Sequence, residues 1–332
     1  MRLLPAFGLL LFAPITAEYL YGYDESTGDL AELIGGLVVF APLYGGAALL
    51  IREAARRTGR GWPTILLLGL AFGVVQAGLI DNSMFNPSYR DIEYWDEMFR
   101  SSYVPALGFN PNLALAFSVG HMVWSVGAPI AVVEALTRHA TTPWLGRAGL
   151  ALTTVAFLFG AGFVVWWHQD TEHYLPSGWQ LAGAAVVAGA LIVAAFAIRP
   201  RPAESSRPPV SPWLAGAVTF AVFILPLAVD LLVDAGFWQP AEASWFLQGW
   251  SGFAVNIALL AGLAMFLARR SARLVAVAGG ALLANVATAF AAEPIGDVDP
   301  VAKYAHNTVA VLLVATLLAA AAYRARDRSV PG

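Results

Sequence analysis

Ten times between Leu3 and Tyr323 the sequence returns to an apolar stretch long enough to cross a hydrocarbon core of about 30 Å, which takes about 20 helical residues. The stretches run approximately Leu3–Tyr21, Leu33–Ile51, Trp62–Ile80, Leu113–Thr137, Gly149–Trp167, Trp179–Ile198, Trp213–Leu232, Trp245–Leu267, Leu274–Ala292 and Ala305–Tyr323. No water is present at that depth to bond exposed peptide groups, so each span must satisfy its own backbone as a helix. A barrel would show alternating strands of about ten residues, and the sequence has none of that pattern. The expected fold class is therefore all-α, a polytopic transmembrane bundle of about ten spans. Composition agrees: 58% of the 332 residues are hydrophobic and 12% are charged, against about 25% charged in soluble domains.

The basic residues supply the orientation. Only Arg90, Arg100 and Lys303 fall on one set of span ends, and the other 16 of the 19 Lys and Arg residues fall on the opposite set. By the positive-inside rule the arginine-rich ends are cytoplasmic, which gives an N-in, C-in topology in the plasma membrane. Met1-Arg2 followed by apolar residues and "PITAEY" also has the outline of a cleaved signal peptide, although Ile15 is a poor residue at the position such a site needs. Cleavage would leave nine spans in the same orientation.

Residues 1–332 read as one membrane domain. A Pro/Ser-rich cytoplasmic linker, 199–212, separates a six-helix part (1–198) from a four-helix part (213–332). Residues 81–112 form an extracytoplasmic loop in which Ile92, Trp95, Met98 and Phe99 recur at helical spacing, the pattern of a short interfacial helix. "TPWLGRAG" and "SPWLAGAV" are alike, but no half-to-half repeat of the kind many transporters carry is visible. "GLAFG", Gly69 to Gly73, is a small-xxx-small motif and predicts close helix packing.

Several chemistries are absent from the sequence. With no cysteine there is no disulfide framework, no thiolate nucleophile and no Cys-based metal site. No Walker or dinucleotide glycine motif occurs, and the arginines are spread over every cytoplasmic end rather than gathered for nucleic acid. "HQDTEH", His168 to His173, matches no established zinc spacing and reads as loop polarity. Neither a metal nor a cofactor is expected, and the partners expected are the lipid bilayer and a small-molecule, lipid or ion ligand.

Polar groups within spans are costly and mark functional positions by default. Here they gather toward the outer half: Glu18, Gln76, His121, Asp230, Asn256, Asn285 and His306. Each can make a private interhelical bond, or several can line one outward-facing polar pocket. Glu134 breaks the pattern, and its spacing offers Arg138 as an i+4 partner at the cytoplasmic interface. Phe117, His121 and Ser125 share one helical stripe, so His121 and Ser125 are the catalytic candidates. A carboxylate such as Glu18 or Asp230 beside His121 would make it a proton relay or general base.

Phe117-x-x-x-His121 resembles the second motif of the intramembrane proteases of the CAAX-protease and bacteriocin-processing type. At the place of their Glu-Glu-x-x-x-Arg helix this chain has "QAGLID", with Gln76 and Ala77 for the glutamates and Asp81 for the arginine. His168-x-x-x-Glu172 falls near the third motif without its Asn. The resemblance covers about 100 residues and implies a catalytically degenerate relative, because the missing glutamate is the water-activating group. Three roles stay open on the sequence: a transporter, an intramembrane enzyme, and a non-catalytic membrane component.

Overall fold

The structure is a computed structural model that describes residues 3–22, 26–198, 208–234, 249–291, 296 and 298–327, without the side chains of 230–234 and 325–327. Its secondary structure is helical, apart from two isolated bridges among the described residues, Val104 with Phe109 and Pro209 with Ser271. The long helices are α1 (Leu3–Tyr19), α2 (Leu30–Arg57), α3 (Trp62–Ile80), α5 (Pro111–Leu136), α6 (Arg147–Glu172), α7 (Gly178–Ala197), α8 (Pro212–Asp234), α9 (Trp250–Arg269), α10 (Leu274–Ala291) and α11 (Pro300–Asp327). A short α4 (Trp95–Arg100) lies in the loop that joins α3 to α5. Among the described residues, nine of the long helices are long and apolar enough to cross a membrane, and α1 is shorter.

Local chemistry sets the helix starts. Asp29 caps α2 by accepting from the amides of Ala31 (2.8 Å) and Glu32 (3.1 Å). Pro63 sits in the first turn of α3, where its missing N–H costs nothing. Asn110 caps α5, and its amide also donates to the carbonyls of Met98 and Phe99, which fastens α4 to the start of α5. In α4, Trp95 and Phe99 are buried against Leu113 and the partly buried Phe117. The apolar face read from the sequence therefore packs on the chain's own helices.

Helix α5 is the hub, and together with α3 it is the most buried of the spans. It packs against α1, α2 and α3 on one side and α9, α10 and α11 on the other, so it joins the parts before and after the linker. The linker's described end is not loose either. Val210 donates to Ser271 O, and Ser271 donates to Pro208 O, each at 3.1 Å.

Among the described residues, four helices contain a π-helical stretch: Ile15–Tyr19 in α1, Ala41–Gly45 in α2, Gln76–Ile80 in α3 and His121–Gly127 in α5. Such insertions are uncommon and recur at functional sites. In α5 the cause is traceable. The Ala128 amide bonds Val123 O in the five-residue register, so the next donor in line would be residue 129, a proline with no N–H. The carbonyl left over belongs to Trp124, and Thr16 of α1 donates to it at 2.6 Å. The helix distortion and its α1 partner are one feature.

Glu134 does not pair with Arg138. Helix α5 ends at Leu136 and Thr137 is extended (φ −113°, ψ 150°), so the i+4 geometry does not exist at that point. Glu134 instead turns to α2, where Oε1 accepts from Arg52 Nε (3.0 Å) and Arg56 Nε (2.9 Å), and Oε2 from Arg56 (2.6 Å). Arg52 is wholly buried, so it is not one of the solvated topology charges expected of that loop. It also bonds Glu53 (2.9 Å) and the carbonyls of Ala140 and Thr142, with its guanidinium 3.3 Å above the Trp144 ring.

Candidate functional site

The π-helical stretches bring part of the expected polar set together. His121 Nδ1 and Ser125 Oγ are 3.0 Å apart in a hydrogen bond whose direction follows the imidazole tautomer. The imidazole stacks on Tyr44 of α2, with centroids 5.7 Å apart and planes 17° from parallel, and meets the edge or face of Phe72 at 5.9 Å. Gln76 Nε2 donates to the Tyr44 hydroxyl at 3.3 Å and lies 3.5 Å from Asp81 Oδ2. A run of polar side chains thus extends from Ser125, inside the bundle, to Asp81 at the arginine-poor end of α3, with a ring stack rather than a hydrogen bond between His121 and Tyr44. Gln76 is almost fully buried, and its Oε1 accepts no hydrogen bond among the described residues. That leaves an open acceptor in the middle of the run.

Asp81 is where charge enters. Burial pushes its carboxyl up to about 6, and the neighbouring Glu18 carboxylate raises it further, against bonds from Ser83 that lower it. Burial also holds the Tyr89 phenol neutral well beyond its ordinary range, with Asp81, Glu18 and Glu172 adding to the effect and Arg90 opposing it. These groups share one electrostatic neighbourhood at the arginine-poor ends of α1, α3 and α6. The folded chain keeps a proton on Asp81 that the unfolded chain has lost above its ordinary value of 3.8. Stability from this group is therefore fully present below about pH 4 and falls as the pH rises toward about 6. Thermal melts in detergent across that window should show the decline, and Asp81→Asn should remove most of its slope.

Other expected members of the set make contacts of their own. His306 Nε2 donates to Tyr19 O at 2.6 Å, which ties α11 to the residue after Glu18. Asn256 of α9 donates to Asn112 Oδ1 at 3.1 Å, beside a cavity of about 320 Å³ bordered by Trp124, Phe223 and Pro226. Asn285 is buried on α10. The side chain of Asp230 lies outside the described residues, and no carboxylate among those described bonds His121. The contacts described for His121 are Ser125, the Tyr44 ring and the Phe72 ring.

His168 stacks on Tyr89 at 5.6 Å with planes 12° apart, and no group of three His, Asp or Glu that could hold a metal occurs among the described residues. Glu172 accepts from the Arg90 amide (2.7 Å) and Asn86 Nδ2 (3.3 Å), so it fastens the 81–112 segment to α6. Tyr44 and Asp81 are the site members that a search for span-centre polar residues passes over. A tyrosine reads as an interfacial or core ring, and Asp81 reads as the first residue of a loop.

Residues 9–331 match the model of an uncharacterized membrane protein family. The chain belongs to that family. No curated protein and no solved structure matches it. Membership agrees with the helices in making this a multi-pass membrane protein, and its chemistry has to be read from the site.

Proposed function

We propose that this chain binds a small polar solute at the junction of Tyr44, Gln76 and His121 and moves it across the plasma membrane together with a proton held at Asp81. The observation that carries the reading is the run Ser125–His121–Tyr44–Gln76–Asp81, built across α2, α3 and α5 by hydrogen bonds and one ring stack, with Gln76 Oε1 as a buried acceptor unfilled among the described residues. A buried amide that lacks a donor favours a ligand bringing an N–H or O–H. A carboxyl pushed up to about 6 can load and release a proton under mildly acidic conditions on the side it faces. By the positive-inside rule the Asp81 end faces outward and both termini are cytoplasmic.

Support for an enzyme is thinner. The protease resemblance has one structural support, in that Gln76 and His121 flank the same ring, Tyr44. An amide at the glutamate's place cannot activate water, and among the described residues His121 lacks the carboxylate a Ser-His-acid array requires. The site is better suited to binding than to bond cleavage.

The test is a thermal-shift screen of amines, amino acids and polyols on the purified protein. A true ligand at 100 times its Kd adds about 2.7 kcal/mol of stability. Its effect should drop at least tenfold in Gln76→Leu and in His121→Phe, and its binding in weakly buffered solution should take up protons in the wild type and not in Asp81→Asn. Ligands that bind all three variants as they bind the wild type would overturn the reading.

A further inference from the structure

A groove of about 960 Å³ runs between α1, α5 and α11 on the arginine-rich half of the bundle, away from the polar run. Its walls are apolar, with Phe7 and Leu11 of α1, Val133 of α5, and Leu313 and Leu317 of α11. Its end is cationic, because Arg138 and Arg324 border it there, with His139 and Tyr323 beside them. From Leu313 to Arg324 a helix rises about 16 Å, roughly the depth of one leaflet of a 30 Å core.

Charge complementarity selects the occupant. Arg324 donates one N–H to Leu136 O at the end of α5, which leaves most of its five donors for another acceptor. Among the described residues Arg138 has no hydrogen-bond or ion-pair partner and no carboxylate borders the groove. Two guanidinium groups above an apolar trough one leaflet deep match a phosphate carried on an acyl chain, and Arg suits phosphate through its planar fork of donors. Basic pockets between membrane helices on the cytoplasmic side are a recurring form of headgroup site. We infer that this groove is a binding site for an anionic phospholipid of the arginine-rich leaflet, its phosphate held by Arg138 and Arg324 and one acyl chain lying between α1 and α11.

Gly8 allows the trough to be tested without touching the charges. It borders the groove, and a Cβ built on it meets nothing within 4 Å, so a larger side chain there fills lipid space rather than protein space. The experiment adds phosphatidylglycerol or phosphatidylcholine to the full-length protein in neutral detergent and follows bound lipid by native mass spectrometry. The wild type should retain phosphatidylglycerol at least tenfold better than phosphatidylcholine. Arg138→Ala/Arg324→Ala should lose that preference, Gly8→Leu should lose retention of both lipids, and Arg269→Ala/Arg270→Ala, at another basic helix end, should behave as the wild type. Equal retention of the two lipids by the wild type would overturn the site. So would a phosphatidylglycerol preference that survives the Arg138/Arg324 change, or one lost equally in the Arg269/Arg270 control. Because none of these residues belongs to the polar run, the outcome is independent of the solute reading.

Discussion

Glu134→Ala is expected to destabilise the protein by about 3–5 kcal/mol, the usual consequence of removing one partner from a buried ion pair. The carboxylate holds Arg52 and Arg56 at 2.6–3.0 Å, and Arg52 is wholly enclosed. Truncation leaves one fully buried guanidinium with Glu53 as its remaining counter-charge, and Glu53 is already committed to Arg57 (3.1 Å) and to the Trp144 amide (2.7 Å). The 137–146 connection should loosen as well, because Arg52 gathers the carbonyls of Ala140 and Thr142 and stacks on Trp144. Unfolding in mixed SDS micelles, followed by tryptophan fluorescence, measures the cost. Arg138→Ala is the control: with no partner in the network, it should change stability by less than about 0.5 kcal/mol in lipid-free detergent. A cost for Glu134→Ala below about 1 kcal/mol would mean that water reaches the cluster and screens it.

The contrast between Glu134 and Arg138 shows where the sequence stops being readable. The positions of the long helices were legible because burial in hydrocarbon constrains length and composition directly, and the close approach at Gly69 and Gly73 was legible because small residues at that spacing have few other uses. Helix rotation was not. The last turns of α2 are amphipathic, but Arg52, Glu53, Arg56 and Arg57 all fall on their polar side, so the pattern does not separate Arg52, which is enclosed, from Arg57, which is about a third exposed. The pairing of Glu134 failed for a second reason, since the i+4 rule presumes a helix that continues, and α5 stops two residues after it. The same limit applies at the site. His121 and Gln76 could be named as polar residues in spans, whereas Tyr44, which connects them, became visible only once the π-helical stretches fixed which face each helix turns inward. Pro129 was present in the sequence as a warning, but the register it disturbs depends on Thr16, more than a hundred residues away.

Replacement of Gly73 should be the second severe change, and it bears on function through geometry alone. A Cβ at Gly73 would sit 2.7 Å from Ser118 Cα and closer still to its carbonyl oxygen, and a backbone in mid-helix cannot move aside. Gly45 meets the backbone of Leu10 in the same way, opposite the carbonyl whose α-helical donor Pro14 lacks. Overpacking of this kind costs about 1–3 kcal/mol even for one methyl group, so Gly73→Ala and Gly45→Ala should each fall in that range and the leucine variants beyond it. Gly69→Ala should cost less, since its nearest obstacles, a Val126 methyl at 3.3 Å and the Met122 Cα at 3.4 Å, are farther off. Gly183→Ala, with nothing within 4 Å, should be neutral or stabilising by up to about 1 kcal/mol, because alanine is the better helix former. The order Gly183, Gly69, Gly73 in rising cost is what the unfolding series should return; equal costs would mean that α3 and α5 do not meet as closely as described. Gly73 lies one turn from Gln76 on α3, and Ser118 one turn from His121 on α5. Forcing the two helices apart there therefore separates Gln76 from the Tyr44 and His121 pair. Gly73→Ala should weaken solute binding even in the fraction of molecules that stays folded, and Gly45→Ala should do the same, because the clash with Leu10 displaces the residue next to Tyr44.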